Sequence, residues 1–363
     1  MNIRTVFSLA LITATVLYPS SIFSNNPDPL GDGTEVKAAS LADPLIVLAS
    51  FSTFAGEGTS YGHTDGESFL TFGDPYVLLD DGTYYIYGTS RSNEGILVYS
   101  SQDLKSWSGP VGAHKGFALH KDDVYGENQF WAPEVYLVND TYYMFFSAEK
   151  HMAIATSDNP AGPFTQDERV PLADFEAIDH TLFIDEDKTR YIYFARFEDG
   201  LEIWGGEMED DLSAIRLETC RKLMRPEQPW ELAEEGWMEV NEGPSVFRHK
   251  GLYYMVFSGN AYTSHHYGIG IAYAEDPLGP WKKCEHNPVF QKQHGLVGIG
   301  HCMLFKDREG QLRMAYHAHF DEENVSPRRA YINPVKLKKL AGTGRYTLEV
   351  QKPRIELMLE PEE

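Results

Sequence analysis

Acidic residues open several of the chain's apolar, strand-like segments, and that placement is the first feature able to do chemistry. Asp74 precedes Pro75-Tyr76-Val77-Leu78-Leu79, Asp179 precedes His180-Thr181-Leu182-Phe183-Ile184, and Glu242 precedes Gly243-Pro244-Ser245-Val246-Phe247. Two further segments open on Trp131-Ala132-Pro133-Glu134 and on His301-Cys302. A carboxylate at the end of an apolar strand is costly unless it pairs or works. Paired carboxylates in different environments suit glycosidic cleavage. One, protonated, gives its proton to the leaving oxygen, and the other, ionised, takes a proton from water or attacks. A third acid nearby raises the donor's pKa by like-charge repulsion. Asp74, Glu242 and Asp179 are therefore the candidate catalytic residues.

The elements that must position them repeat. Each unit is an acidic or polar start, a short apolar strand, a turn, then a strand opening on aromatics. Examples are Asp80-Asp81-Gly82 before Tyr84-Tyr85, Asn139-Asp140 before Tyr142-Tyr143, and Lys250-Gly251 before Tyr253-Tyr254. Turn residues between β-branched and aromatic runs predict hairpins. A second motif follows the first: Ile154-Ala155-Thr156-Ser157-Asp158-Asn159-Pro160-Ala161-Gly162-Pro163-Phe164 matches Ile271-Ala272-Tyr273-Ala274-Glu275-Asp276-Pro277-Leu278-Gly279-Pro280-Trp281. Four strands per unit, repeated five times at roughly 45 to 65 residues, predict an all-β, five-bladed β-propeller with four antiparallel strands per blade. In such a ring the first strand of each blade lines the central channel, so the five starts converge on one pit.

Composition narrows the partners. The net charge of −23 argues against nucleic acid, since an acidic surface repels phosphates. Abundant Tyr, Phe and Trp fit strand packing, and some could serve as platforms for sugar rings. Arg4 followed by an apolar run from Val6 to Leu17 and then small polar residues to Ser24 has the pattern of a secretory signal. It is short for a membrane span, so no membrane insertion is expected. The expected location is periplasmic or secreted. Cys220, Cys284 and Cys302 all lie far from the N-terminus, which excludes a lipid-anchored N-terminal cysteine, and an odd three allows at most one internal disulfide. The expected division is a signal over 1–24, a leader or closing segment over 25–72, the propeller over 73–345 and a C-terminal closing segment over 346–363.

On Asp74-Pro75 before Tyr84-Tyr85, Trp131-Ala132-Pro133-Glu134, Ile178-Asp179 and Glu242-Gly243-Pro244, the sequence resembles glycoside hydrolase family 43 across about 74–335. The resemblance implies that Asp74 is the general base, Glu242 the general acid, and Asp179 the residue that tunes Glu242 and orients the sugar. It also implies inversion at the anomeric carbon and a carbohydrate substrate, with α-L-arabinofuranosidase or β-xylosidase activity leading. Galactosidase, galactofuranosidase and endo-arabinanase activities are alternatives, and a non-catalytic sugar-binding propeller is a more distant one. The family commonly has proline after the tuning aspartate, whereas here stands His180, expected at the pocket wall as a substrate contact. His301 is expected either to hold a central cation, with calcium the usual suggestion, or only to hydrogen-bond in the channel. Arg328-Arg329 precede an apolar strand, and Arg329 is expected to contact sugar hydroxyls or the tuning acid. Trp131 is expected to stack on a sugar or to pack between blades.

Further features bear on the site and its surroundings. Glu134 is the rival carboxylate and is expected to pair structurally with a neighbouring blade. His265-His266 and His317-Ala318-His319 lack zinc-type spacing and are expected at the pocket rim or core. Leu41-Ala42-Asp43-Pro44 imitates the Asp-Pro opening, but no turn with a tyrosine pair follows it. The stretch 91–127 is expected to supply a wall of the site.

Overall fold

The protein is described by a computed structural model over residues 63–64, 67–232, 238–293 and 295–361. The signal-like run and Leu41-Ala42-Asp43-Pro44 lie outside the described residues. Five antiparallel blades form a ring, a five-bladed β-propeller. Blade one comprises Gly73–Asp80, Thr83–Thr89, Gly95–Ser101 and Ser106–Ser108. Blade two comprises Trp131–Val138, Thr141–Ala148 and His151–Ser157, its fourth position reduced to a bridge between Thr156 and Thr165. Blade three is Ala177–Ile184, Arg190–Glu198, Gly200–Met208 and Ile215–Met224. Blade four is Asn241–His249, Leu252–Gly259, Gly268–Ala274 and Lys282–Lys283, and blade five is Gly300–Lys306, Leu312–Ala318, Arg329–Lys339 and Tyr346–Val350.

Strand periodicity explains how the blades hold each other. Successive side chains of a strand point to opposite faces, and both faces of each second strand are apolar. Phe145 therefore packs toward blade three with Leu182, Ile192 and Phe194, while Phe146 packs back toward blade one with Ile96 and Val98. Met255 meets Tyr193 and Ile203 of blade three, and Val256 meets Met314 and Tyr316 of blade five. The core is thus a set of apolar layers between adjacent blades rather than one central mass. Each fully buried large side chain in such a layer contributes about 1.5–3 kcal/mol.

The matched outer motifs are joints. The Tyr87 hydroxyl donates to the Pro160 carbonyl at 2.6 Å, and the Tyr193 hydroxyl donates to Pro277 at 3.0 Å. In each case a tyrosine of one blade grips the proline turn of the next.

The ring's closing contacts come from the C-terminal residues, and blade pairing runs across the expected divisions. Tyr346–Val350 is the fourth strand of blade five, paired with Arg329–Lys339, so a division at 345 cuts a hairpin. The ring closes where Met358–Leu359 runs parallel to Ser106–Ser108 and the Leu70 N–H donates to the Leu357 carbonyl at 2.9 Å. Thr71 bridges to Arg329 of blade five, so the last residues of the expected leader belong to the propeller. All three cysteines are free thiols. Among the described residues no helix is long and apolar enough to cross a membrane.

Candidate active site

Every inner strand starts with the same device. The pairing register slips between Gly73 and Tyr76, Trp131 and Glu134, Ile178 and Thr181, Glu242 and Ser245, and Gly300 and Met303. Inside each slip one residue has positive φ: Asp74 (54°), Ala132 (44°), Asp179 (58°), Gly243 (55°) and His301 (45°). A bulge re-aims a side chain and releases it from the ladder. The residue after it is Pro75, Pro133 or Pro244 in three blades, where a missing N–H does no harm. Positive φ in a non-glycine residue is a cost seen at functional sites, and here it falls on Asp74, Ala132, Asp179 and His301.

The three acids meet in the pit, each 8% exposed. The Arg328 guanidinium grips Asp74 with both nitrogens, Nη1 to Oδ1 at 2.9 Å and Nη2 to Oδ2 at 3.3 Å. His317 Nδ1 accepts the Asp74 backbone N–H at 3.1 Å. His301 Nδ1 lies 3.3 Å from Asp74 Oδ1 and 3.7 Å from Asp179 Oδ2. Tyr267 donates its hydroxyl to Glu242 Oε1 at 2.8 Å, and the Gly243 N–H donates to Asp179 Oδ2 at 3.2 Å. Two glycines make room for these partners. A Cβ on Gly73 would sit 1.9 Å from Arg328 Cζ, and one on Gly300 would sit 1.8 Å from the Tyr267 ring.

The electrostatics divide the acids. Burial alone would raise Asp74, but Arg328, with His301 and His317, outweighs it and holds the carboxyl well below its ordinary value. Glu242 is pushed up to about 7 by burial and by the Asp74 charge, against the Tyr267 hydrogen bond and Arg328. Asp179 is pushed well above its ordinary value by burial, then by Glu242 and Asp74. Asp179 and Glu242 therefore titrate as a pair while Asp74 stays ionised. Burial brings His317 down to about 3, so its imidazole is neutral.

Other expected contacts fall differently. His180 does not reach the pit. It occupies the position held by proline in three other blades, and beyond the bulge the strand turns it between blades two and three. There it is fully buried, its Nε2 3.0 Å from the Ala153 carbonyl and its ring against Phe145. Arg329 is also displaced: its guanidinium lies over Phe69 at 4.7 Å and Phe320 at 4.3 Å, fastening the closure, and its neighbour Arg328 enters the site. Trp131 is partly exposed and packs against the small cluster of Ile178, Ala195, Leu201 and Val240. It occupies the bulge position equivalent to Glu242. Glu134 accepts from Tyr136 in its own blade, and the Tyr136 hydroxyl carries the link onward by accepting from the Leu182 N–H at 3.0 Å. His319 contacts the Tyr262 carbonyl at 2.7 Å through Nε2.

A calcium shell takes six to eight oxygens. His301 offers a nitrogen whose near carboxylates are Asp74 and Asp179, and Asp74 already has Arg328. Among the described residues, the side-chain group with metal-ligand proximity is His114, His120 and Asp123, which does not include His301. The side chains at His301 do not by themselves fit such a shell. In the other group, His114 Nδ1 bonds Asp123 at 3.1 Å and His120 Nδ1 accepts the Asp122 N–H at 3.3 Å, so both rings are used in holding the 114–123 loop.

Sequence reasoning did not reach Tyr267, which stands 25 residues from Glu242 in a loop with no motif of its own. It points to Arg329, whereas strand register brings the neighbouring Arg328 to Asp74.

The comparisons with known proteins agree with this geometry. An endo-1,4-β-xylanase structure from Bacteroides thetaiotaomicron is 38% identical, covering 81% of this chain and 98% of that one, with a TM-score of 0.74. A β-D-galactofuranosidase of Aspergillus niger is 22% identical over 71% of this chain and 77% of its own length. A xylosidase/arabinosidase of Humicola insolens is 28% identical over 46% of this chain, and the match spans under half of that relative, 45%. Residues 70–339 match the family model described as glycosyl hydrolases family 43. With the propeller, the three buried acids and these matches together, the chain belongs to glycosyl hydrolase family 43 and is a glycoside hydrolase.

Proposed function

We propose that the protein hydrolyses bonds to pentose sugars, as an inverting α-L-arabinofuranosidase or β-xylosidase, with Glu242 as general acid, Asp74 as general base and Asp179 tuning Glu242. The observation that carries the reading is the opposite treatment of equally buried acids. A base must be ionised at the working pH and an acid must still hold its proton there. Asp74 is pinned low by Arg328, and Glu242 is pushed up to about 7. In this scheme Asp74 takes a proton from the attacking water while Glu242 delivers one to the leaving oxygen. Trp131 supplies a face for the sugar ring. The names of two relatives, a xylanase and a xylosidase/arabinosidase, support pentoses. The xylanase name also favours a second reading, cleavage within a xylan chain. The opening residues support export.

The test is a panel of aryl α-L-arabinofuranoside, β-D-xyloside, β-D-galactoside and galactofuranoside, followed by xylan and arabinan. Wild type is expected to release the aryl group from a pentoside, with Glu242→Ala and Asp74→Ala lower by on the order of 10³-fold or more. A good leaving group rescues part of the Glu242→Ala loss and none of the Asp74→Ala loss. Sugar binding without hydrolysis of any glycoside or polymer would sink the enzymatic assignment in favour of a binding propeller.

A further inference from the structure

The five bulges obey one rule, and one of them breaks it. In four blades the N–H of the positive-φ residue is held by a side chain at the end of the preceding blade's second strand. Asp74 donates to His317 Nδ1 (3.1 Å), Ala132 to Thr89 Oγ1 (2.9 Å), Asp179 to Ser147 Oγ (3.2 Å) and His301 to Ser258 Oγ (2.7 Å). These acceptors are register equivalents. Thr89 pairs with Gly73, Ser147 with Trp131, Ser258 with Glu242 and His317 with Gly300. The remaining equivalent, paired with Ile178, is Ala195. A methyl group accepts nothing, so the Gly243 N–H has no acceptor of this kind and goes to Asp179 Oδ2 instead.

We propose that Ala195 is a positioning residue: by withholding the acceptor that every other blade supplies, it hands the Gly243 N–H to Asp179 and so leaves the proton of the Asp179–Glu242 pair for Glu242. An N–H can only donate, so it favours an ionised carboxylate over a protonated one. The pair has a competing donor, since the Tyr267 hydroxyl favours ionised Glu242. Where the proton sits is set by these two donors within the field of Asp74, Arg328 and His301, whose Nδ1 lies 3.7 Å from Asp179 Oδ2. Restoring an acceptor at 195 removes the Gly243 donor from Asp179 and tips the proton to Asp179, away from the leaving group. The inference rests on the reading of Glu242 as the acid. Ala195 is fully buried beside Ile178, Leu201 and Val240 and under Trp131, so a packing role is the competing explanation.

Ala195→Ser adds an acceptor at almost no volume, and Ala195→Cys adds similar volume with a much poorer acceptor. The substrates are the dinitrophenyl and methyl glycosides of whichever sugar wild type accepts. Ala195→Ser is expected to lose on the order of 10²-fold in kcat/KM on the methyl glycoside, which needs its leaving group protonated, and under about threefold on the dinitrophenyl glycoside. Ala195→Cys is expected to stay within about threefold on both. Equal losses on both substrates, or the same pattern in Ala195→Cys, would make Ala195 a packing residue and overturn the proposal. Carboxyl-carbon NMR titration gives a readout independent of turnover: Asp179 should titrate at higher pH in Ala195→Ser than in wild type, and an unmoved Asp179 overturns the proposal. If wild type cleaves nothing, the acid assignment fails, and the titration still decides whether Ala195 controls Asp179.

Discussion

The side of the pit built by blades five and one and the side built by blades three and four bury their acids to equal depth and treat them in opposite ways. Asp74 meets a guanidinium and two imidazoles, and its carboxyl is held down. Asp179 and Glu242 meet each other, one backbone N–H and one phenol, and both are pushed up. Depth therefore does not decide protonation here, and neighbours do. A fixed positive charge repays the desolvation of one carboxylate, whereas neutral donors repay only part of it for two. In the proposed scheme, general base and general acid follow from which blade supplies the counter-ion.

The strongest way to break the contrast is to remove that counter-ion. Arg328→Met leaves Asp74 buried without its guanidinium, so its pKa rises. kcat/KM is expected to fall on the order of 10²- to 10³-fold, and the acid limb of the pH profile to move upward. Arg328→Lys keeps the charge and is expected to hold the limb near its wild-type position while losing the two-pronged grip. An unmoved acid limb in Arg328→Met would show that Arg328 does not hold Asp74 ionised.

How far this contrast was readable in sequence depends on which interactions are local. The blades were legible because each hairpin announces itself with turn residues between alternating apolar strands. The acids were legible because Asp74, Asp179 and Glu242 are chemical outliers at the starts of those strands. Their partners were not. Tyr267 lies in a loop without a motif, and Arg328 reaches Asp74 across 254 positions. Which of two adjacent arginines enters a pit is set by the register that pairs Arg329 with Ala318, and composition does not reveal register. His180 was misplaced because a bulge decouples neighbouring side chains: Asp179 is aimed into the site and His180 is turned between blades.

The acid side can be tested through stability. The folded protein holds the Glu242 proton up to about 7, whereas the unfolded chain releases it near the ordinary value of 4.5. The folded state thus binds more protons between those values, and its stability falls as pH rises through that window. Glu242→Gln removes the charge while leaving the Tyr267 hydroxyl an oxygen to donate to. The variant is expected to match wild type near pH 4.5 and to exceed it above pH 7 by on the order of 3 kcal/mol, read by denaturant unfolding across pH. A constant difference over the whole range would mean that the charge of Glu242 carries no cost in the fold.

The smallest expected effect separates the adjacent arginines. Arg329 lies between the rings of Phe69 and Phe320 and bridges the chain at Thr71, on the closure of the ring rather than in the pit. Cation–π contacts at such partly exposed positions contribute about 0.5–1 kcal/mol each. Arg329→Leu keeps apolar contact with both rings, so unfolding stability is expected to drop by only about 1 kcal/mol. Turnover and KM for the accepted glycoside are expected to stay within about threefold of wild type. A KM raised tenfold or more with stability unchanged would restore Arg329 as a sugar contact, and it would mean that the closure moves toward the mouth when substrate binds. With both unchanged or only stability reduced, the division of labour is one residue wide: Arg328 serves Asp74, and Arg329 serves the seam that keeps blades one and five together.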